Sequence, residues 1–241
     1  MKNLKYFIAI FLGLALTACI NGQFRKVVYG NRNVVKKERP AGSFTSVKVS
    51  TGIDLYLTQG DKMSITVEAD ENLQEYIITE IRGDELYIRH DNDVNVREAE
   101  RERVYVTMKD IKTLSTTSAG DIIGETPVKT DDLELNASSA GNIKIEVYAK
   151  TIRADGSSSG DITLNGETDM LDADLSSAGD LNAYNLKTRE ANISASSAGD
   201  ADVYVTEKLT ARASSAGDIN YKGDPKYIDT HSSSAGGIHR K

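Results

Sequence analysis

Carboxylates at a fixed spacing are the residues of this sequence that could do chemistry. An aspartate closes five copies of one short repeated phrase: Asp121, Asp161, Asp180, Asp200 and Asp218, with Asn142 and Gly237 at the equivalent place in two further copies. If the repeats stack, these carboxylates form a column in which like charges about 5 Å apart repel by roughly 1 kcal/mol. Two interpretations stay open: exposed carboxylates that each accept a hydrogen bond from a nearby main-chain group, or a row of weak Ca²⁺ sites.

Three tyrosines form a second candidate site. Tyr148, Tyr184 and Tyr204 each follow an apolar residue of a strand-like segment, so alternation points their side chains outward. Such a stripe could stack on sugar rings or on a partner protein. Asn165 is expected where the next ring would lie, which weakens the stripe. Isolated surface tyrosines that shield a β-face are the alternative interpretation.

Signatures of an enzyme are missing from the sequence. The histidines, His90, His231 and His239, show no spacing typical of a metal site or of a base beside a nucleophile. No carboxylate stands in an apolar neighbourhood that would raise its pKa for acid catalysis. We therefore assign no catalytic, cofactor-binding or metal-binding residue, and we predict that the protein is not an enzyme.

A repeat in the second half of the chain supplies the elements that would position these side chains. Seven phrases of the type Ser-Ala-Gly-Asp recur, with 18–21 residues between the glycines Gly120, Gly141, Gly160, Gly179, Gly199, Gly217 and Gly236. A period of about 20 residues is typical of a solenoid. Every second residue between the phrases is apolar or small, which is the alternation of a β-strand. The sequence thus predicts an all-β fold, a parallel β-helix with one coil per period.

The repeated phrase is interpreted as the corner of each coil. A tight corner often needs a positive φ or leaves no room for a Cβ atom, and glycine meets both demands. The serine before the glycine could hydrogen-bond to main-chain groups of its own or of the adjacent coil. The seven glycines are therefore predicted to be structural residues.

The first residues have the composition of a lipoprotein leader. Lys2 and Lys5 precede an apolar stretch, which ends in Leu16-Thr17-Ala18-Cys19. This ending resembles the bacterial lipobox, in which the cysteine is lipidated; an ordinary secretory peptide is the alternative. We predict a signal peptide at residues 1–18 and lipidation of Cys19. Because Cys19 is the single cysteine, an intramolecular disulfide is excluded.

Changes in composition divide the rest of the chain. Residues 19–40 are basic and lack periodic apolar positions, which predicts a solvated tether; contact with anionic headgroups is the second interpretation. Residues 41–113 alternate like strands but lack the regular step, which predicts an all-β head that is less regular. Residues 114–241 hold the β-helix repeats.

The charge of the chain bounds its partners. The net charge of −7 becomes −9 when residues 1–18, with their two lysines, are removed. This acidic balance argues against nucleic acid as a partner. The expected partners are the membrane, through the lipid anchor, and a glycan or a protein surface, while the oligomeric state stays open. In Gram-negative lipoproteins, which the leader resembles, the absence of aspartate after Cys19 favours the outer membrane, with the protein facing the periplasm or the cell surface.

Two segments of the head resemble the head GIN domain family. They are Val-Lys-Val-Ser-Thr-Gly-Ile-Asp-Leu-Tyr-Leu-Thr-Gln-Gly at 47–60 and Val-Glu-Ala-Asp-Glu-Asn-Leu at 67–73, and the Ser-Ala-Gly-Asp repeats match the same family. The family, formerly a domain of unknown function, groups sequences designated auto-transporter adhesins of Bacteroidetes and relatives. The resemblance covers residues 40 to 240. It implies a right-handed parallel β-helix in an exported, often lipid-anchored protein, and it carries no agreed catalytic residues.

The sequence therefore predicts a non-enzymatic lipoprotein of the cell envelope, an adhesin or binding module on a β-helical scaffold, without identifying its ligand. One alternative is a polysaccharide-processing enzyme. It would need the aspartate column and Arg153, Arg189 or Arg212 to line one cleft. The other alternative is a structural spacer whose ends matter more than its faces.

Overall fold

The computed structural model describes residues 25–241, and their regular structure is almost entirely β-strand. Cys19 and the rest of residues 1–24 lie outside the described residues. Apart from one turn of 3₁₀ helix, Glu71–Leu73, the elements in chain order are β1 (Lys26–Tyr29), β2 (Val34–Arg39), β3 (Ser46–Val49), β4 (Asp54–Gln59), β5 (Ser64–Asp70), β6 (Ile77–Arg82), β7 (Glu85–His90), β8 (Val94–Arg97), β9 (Glu102–Met108), β10 (Thr113–Thr116), β11 (Asp121–Gly124), β12 (Val128–Ser138), β13 (Asn142–Ser157), β14 (Asp161–Ser176), β15 (Asp180–Ala195), β16 (Asp200–Ala213), β17 (Asp218–Lys222), β18 (Tyr227–Ser232) and β19 (Gly237–Arg240). Within residues 25–241, no helix has the length and apolar character needed to cross a membrane.

Successive repeats lie on top of one another in register. Asp121 lies opposite Asn142, Asn142 opposite Asp161, and the same correspondence continues coil by coil to Gly237. All of these pairings are parallel, and the inward positions carry buried aliphatic side chains such as Ile143 and Ile162. Because every second residue faces this core, the alternation of apolar residues and the 20-residue repeat both follow from the stacking of parallel coils. The predicted parallel β-helix is confirmed.

Each corner is a two-residue turn made by the serine and the small residue that precede the glycine. In the seven repeats these two residues have φ between 49° and 63°. The glycine N–H donates to the carbonyl three residues earlier, as Gly179 does to Ser176 at 2.9 Å. Positive φ at both central residues together with this hydrogen bond defines a type I′ turn. The corners therefore hold Ser and Ala in a region that L-residues usually avoid.

Two reasons were expected for the repeat glycines. A positive φ at the glycine itself is wrong, and a lack of room for a Cβ atom is right. The positive φ falls on the two residues before the glycine. A Cβ atom at Gly179, however, would lie 2.4 Å from the carbonyl carbon of Gly156, and one at Gly160 would lie 2.4 Å from that of Ala137. The crowding atoms belong to the main chain of a paired strand, which cannot withdraw. Glycine is required because adjacent coils nearly touch at the corner.

The ladder of main-chain hydrogen bonds continues through the corners. The N–H of Ala178 donates to the carbonyl of Ser197 in the next coil at 3.1 Å. The N–H of Asp180 donates to the carbonyl of Gly160 in the preceding coil at 3.2 Å. The serine thus joins adjacent coils through its main-chain carbonyl, a role that the sequence analysis gave to its side chain.

The head contains a coil that its sequence conceals. β3 and β4 pair in parallel with β10 and β11, and they meet at a corner where Thr51 and Gly52 have φ of 65° and 74°. Here the glycine lies inside the turn, and Ile53 stands where a repeat would have its glycine. On its other side this coil pairs with β7 and β9, which are joined by the excursion 91–101 instead of a tight corner. The first coil of the chain therefore lies between two coils that follow it in sequence.

Antiparallel strands close the N-terminal end of the stack. β6 pairs with β7, β5 with β9, and β2 with β5, all antiparallel. Ile65, Val67 and Ile77 on these strands are buried in the same core as the coils. The cap covers apolar side chains that an open coil would expose, which is how solenoid ends are kept soluble.

The predicted tether over residues 19–40 is wrong from Lys26 onward. Residues 26–29 form β1, which pairs in parallel with β8, and residues 34–39 form β2 on the edge of the cap. The alternation of apolar and polar residues is weak in this segment because β2 is an edge strand whose Lys36 and Lys37 are exposed. Lysines on an edge strand hinder pairing with another chain.

The C-terminal end of the stack is protected by polarity. Among the described residues, β18 pairs only with β16, and β19 pairs only with β17. Thr230 and Ser232 of β18 lie in register with the buried Ala211 and Ala213 of the preceding coil. Polar side chains at core positions make this last coil a poor platform for stacking another chain.

Neighbouring substitutions in one corner should have opposite effects. Gly179→Ala is expected to lower the free energy of unfolding by about 2–4 kcal/mol, because the new Cβ atom meets fixed main chain. Ala178→Gly is expected to raise the free energy of unfolding by up to about 1 kcal/mol, because it relieves the strain of a positive φ. Urea denaturation followed by circular dichroism measures both changes.

Gly120→Ala is the matched control. Its Cβ atom would lie 3.3 Å from Thr116 Oγ1 and 3.4 Å from the nearest main-chain atoms, so a much smaller loss is expected than for Gly179→Ala. Equal losses at the two positions would show that close approach of the coils is not what demands glycine. A destabilising Ala178→Gly would refute the strain assigned to the turn.

Candidate functional site

The predicted aspartate column exists, and it is longer than the sequence indicated. The segments that follow the corners form a parallel sheet whose outward side chains we call the acidic face. Its first column runs in register through Arg103, Asp54, Asp121, Asn142, Asp161, Asp180, Asp200, Asp218 and Gly237. Asp54 was missed, although it follows the Ser-Thr-Gly corner of the head just as the other aspartates follow theirs. Arg103 ends the column at the capped end.

Hydrogen bonds within the column run from coil to coil. Asp180 Oδ1 accepts the main-chain N–H of Asp200 at 3.2 Å, and Asp200 Oδ1 accepts that of Asp218 at 3.0 Å. Asn142 Nδ2 donates to Asp121 Oδ1 at 2.8 Å. The local turn bonds expected for these aspartates are replaced by contacts with the adjacent coil. In residues 25–241, the ion pairs involve none of the carboxylates of the column.

Two carboxylates of the column, Asp54 and Asp180, are harder to ionise than an ordinary aspartate. Partial burial raises the pKa of Asp180, and the charges of Asp161, Asp200 and Asp202 add to the rise, against the hydrogen bond from the Asp200 main chain. Burial likewise raises the pKa of Asp54; the charge of Asp121 adds to this rise, and Arg103 opposes it. From the sequence we expected no carboxylate in apolar surroundings that would raise its pKa for acid catalysis, yet burial raises the pKa of Asp54 and Asp180. Stacking in register brought these acids together, which the surrounding residues could not reveal.

A second set of acids lies on the sheet formed by the segments that precede the corners. Burial raises the pKa of Asp155, with smaller contributions from the charges of Asp174 and Glu134. Arg153 lies in register between Glu134 and Asp172 on this sheet. Nowhere in the described part of the chain do three or more His, Cys, Asp or Glu side chains meet in a group that could hold a metal ion.

The three arginines of the enzyme alternative do not meet the aspartate column. Arg153, Arg189 and Arg212 stand on segments that precede the corners, whereas the column stands on those that follow them. Arg189 is 3.6 Å from Asp169, and Arg212 is 2.7 Å from Asp229. A groove of about 440 Å³ does lie beside Lys112, Thr113, Thr130, Asp131, Asp132, Leu133, Glu134, Thr151 and Arg153.

The tyrosine stripe is interrupted. Tyr148 and Tyr204 belong to one column, but Glu167 and Lys187 occupy the two coils between them. Tyr184 lies in a register shift between β15 and β16 and stands apart from that column. All three rings point outward as expected, with Tyr148 42% exposed. They cannot form a continuous stacking platform.

Tyr184 instead belongs to a polar cluster near the C-terminal end of the acidic face. Burial and the neighbouring Asp202 carboxylate raise the pKa of Tyr184 to about 12. Lys222 Nζ lies 4.0 Å from the centroid of its ring. Asn220 Nδ2 donates to Asp202 Oδ1 at 3.0 Å. A bulge in a β-strand re-aims a side chain, and here it brings Tyr184 against these charged neighbours.

His90 has a partner that the sequence analysis missed. Its Nε2 lies 2.6 Å from Glu102 Oε1, and the two side chains are 13% and 16% exposed. His90 ends β7 and Glu102 begins β9, so the pair closes the base of the excursion 91–101. Eleven intervening residues hide this pairing from any spacing rule. His231 and His239 lie in the last, exposed coil.

Comparisons with known proteins agree with this architecture. A family model described as "Putative auto-transporter adhesin, head GIN domain" matches residues 43–225. A solved "putative adhesin" from Bacteroides fragilis is 21% identical, with a TM-score of 0.80, over 89% of this chain and 100% of its own. A "putative lipid binding protein" from Parabacteroides distasonis is 24% identical, with a TM-score of 0.72, over 90% and 100% of the two chains. A "putative adhesin" from Parabacteroides merdae is 20% identical, with a TM-score of 0.66, over 90% and 99%.

No curated protein sequence matches the chain. The solved structures share the fold with it, and at these identities they show the fold alone. The family match therefore carries more weight for function than the structural neighbours do.

Removing the charge of Asp180 should give a pH-dependent gain in stability, because burial and the neighbouring carboxylates both disfavour its ionised form. The raised pKa of Asp180 means that its ionised form destabilises the folded protein, and this effect fades as pH falls through the folded pKa toward the ordinary value of 3.8. Asp180→Asn keeps an oxygen for the Asp200 N–H and removes the charge. We expect a gain of about 0.5 kcal/mol at pH 7, the size of a like-charge pair across strands, shrinking to nothing near pH 3.5. Thermal unfolding at both pH values measures it.

Asp229→Asn is the control of opposite sign. A hydrogen bond from Arg212 lowers the pKa of Asp229, so its ionised form stabilises the fold above the ordinary pKa and this contribution is lost in acid. The substitution should therefore lower the melting temperature at pH 7. If Asp180→Asn behaves like Asp229→Asn, repulsion is not the dominant force in the column.

Proposed function

The chain belongs to the head GIN domain family, and from that premise we propose that it is an adhesin-like binding protein of the cell envelope and not an enzyme. Both the family and the solved neighbours in B. fragilis and P. merdae carry an adhesin designation. The candidate residues support the same function, because acids and bases lie spread along faces. Catalysis would need them to converge on one point within hydrogen-bond reach of a substrate.

The acidic face is the observation that carries this proposal. It repeats the same outward positions at the strand spacing of about 4.8 Å, and the carboxylates of its first column have no ion-pair partner among residues 25–241. Beside the first column lies a second of mixed polar side chains that includes Thr163, Asn182, Asp202 and Asn220. A regular row of acceptors and amides suits an extended partner, a glycan chain or a protein surface, better than a small molecule in a pocket.

We further propose that the protein is held to the outer membrane by acyl chains on Cys19. The support is the leader, in which Lys2 and Lys5 precede an apolar stretch that ends at a lipobox-like Cys19. Each buried methylene of an acyl chain contributes about 0.8 kcal/mol, so two or more chains anchor a protein stably. The domain would then face the periplasm or the cell surface.

A combined screen for binding and cleavage tests the proposed function. Labelled protein is applied to a glycan array and to envelope proteins, and the same polysaccharides are assayed for released products. Asn182→Arg places a bulky cation on the acidic face, and it should abolish binding. Asn192→Arg makes the same change on the other sheet and should leave binding intact. Both positions are exposed.

The three outcomes separate the candidate functions. Binding that is lost in Asn182→Arg alone, without products, supports the adhesin-like module. Release of products by the pure, folded protein that is lost after heat denaturation would establish the polysaccharide-processing enzyme. No binding and no products would leave the spacer as the function.

The anchor is tested by Cys19→Ser. The variant cannot be acylated, so we expect the protein to move from the membrane fraction to the soluble envelope fraction. Metabolic labelling with an alkyne fatty acid should mark the wild type and not the variant. Lipidation would be refuted if the wild type takes up no label and the Cys19→Ser variant stays in the same fraction as the wild type.

A further inference from the structure

A small two-stranded sheet stands apart from the coils at the N-terminal end. β1 pairs in parallel with β8, which belongs to the excursion 91–101, and the pair forms a sheet separate from the main one. Val94 is 7% exposed and Val28 is half-buried, so one face of this small sheet packs against the head. The His90–Glu102 pair holds the base of the excursion that carries β8. The small sheet is therefore attached at a fixed place.

The outer face of this sheet is both apolar and cationic. Val27 is 49% exposed and Tyr29 is 59% exposed, and they lie in register with Asn95 and Arg97. Arg25 is exposed and has the same parity as Val27. We call the outward side chains of Arg25, Val27, Tyr29 and Arg97 the β1–β8 face.

The charge of this face is available for a partner. Nearby cations are already engaged: Arg32 is 3.8 Å from Glu98, and Lys26 Nζ donates to the Tyr76 hydroxyl at 2.9 Å. Arg25 and Arg97 have no carboxylate within 4.0 Å in the described part of the chain. Two guanidinium groups and two apolar side chains thus share one face of a chain whose net charge is −7.

These residue types suit the surface of a lipid bilayer. Tyrosine is enriched where a protein meets the headgroup region, because its ring is apolar and its hydroxyl is polar. Basic residues near an anionic leaflet gain about 1 kcal/mol each, which is about fivefold in affinity per residue. A glycan or an acidic protein would explain the arginines, but it would not explain the exposed valine beside them.

We propose that the β1–β8 face docks on an anionic lipid surface. The position of the sheet rests on the proposed anchor: five residues, 20–24, separate Cys19 from Arg25, so acyl chains on Cys19 would keep the sheet within about 20 Å of the bilayer even if the connection were fully extended. Docking would give the domain a fixed orientation, with the coils leading away from the membrane. The lipid chemistry is that of a phosphate-bearing headgroup.

A tryptophan reporter tests the docking directly, since the chain contains no tryptophan. The chain from residue 19 onward, with Cys19→Ser, keeps every described residue and has no acyl chain, so the result does not depend on lipidation. With Tyr29→Trp in this chain, vesicles containing 30% phosphatidylglycerol should shift the emission to the blue, and brominated lipid should quench it. Vesicles of phosphatidylcholine alone, or 0.5 M salt, should abolish both effects.

The opposite end of the solenoid supplies the matched control. Tyr227 is 72% exposed beside Ile228, which is 48% exposed, with Lys208 and Lys226 close by. Because Asp229 lies beside these lysines, whereas the β1–β8 face holds no carboxylate, Tyr227→Trp should show neither shift nor quenching.

Sedimentation with the same vesicles tests the side chains. Arg25→Gln with Arg97→Gln should reduce partitioning by about 25-fold, and Val27→Ser with Tyr29→Ser by about tenfold, while Tyr227→Ser with Ile228→Ser leaves it unchanged. Melting curves confirm that each variant is folded. Absence of binding by the unacylated chain, or equal loss in the control pair, would overturn the proposal. Lipidation of Cys19 is tested separately, by the labelling experiment with an alkyne fatty acid.

Discussion

At five of the seven repeat corners, adjacent coils approach each other so closely that a Cβ atom on the glycine would overlap main chain of the neighbouring coil, and the rest of the structure depends on this approach. Gly179 illustrates it, since its missing side chain would overlap the main chain of Gly156. To turn within that space, Ser177 and Ala178 adopt a left-handed conformation, which costs about 1–2 kcal/mol per residue. The hydrogen bonds that continue through each corner offset this strain. The Ser-Ala-Gly part of the repeated phrase is therefore explained by the main chain and needs no ligand.

The aspartate that follows each corner is not explained in this way. Asn142 occupies one of these positions and donates to Asp121, and Gly237 occupies another, so the fold accepts residues without charge there. Burial and neighbouring charges nevertheless raise the pKa of Asp180, which means that the ionised form of this residue works against stability. Residues that oppose stability without a structural need are expected at functional sites. This reasoning favours the acidic face over the corners as the binding surface.

The sequence alone was sufficient to predict the part of the fold that repeats. Regular spacing of glycines and alternation of apolar residues predicted the parallel coils, and stacking in register followed from them. The coil of β3 and β4 escaped notice because Ile53 replaces the glycine and because the chain visits the coils out of order. β1 and β2 were missed because rim strands bury too little to impose a pattern. The His90–Glu102 pair and the raised pKa of Asp54 depend on contacts between distant segments, which no local pattern records.

The distribution of charge along the solenoid determines which end of the protein would face the membrane in the proposed contact. An acidic protein is repelled by an anionic surface, yet charges beyond a Debye length of about 8 Å are largely screened. The charged membrane surface then interacts only with the charges at the end of the protein nearest the bilayer. At the capped end, Arg25 and Arg97 have no acidic partner among the described residues. The aspartates that follow the corners lie on successive coils, each about 4.8 Å farther along the stack. Within two coils of the cap their repulsion by the membrane is screened, so the same chain can present cations to lipid and carboxylates to a partner beyond it.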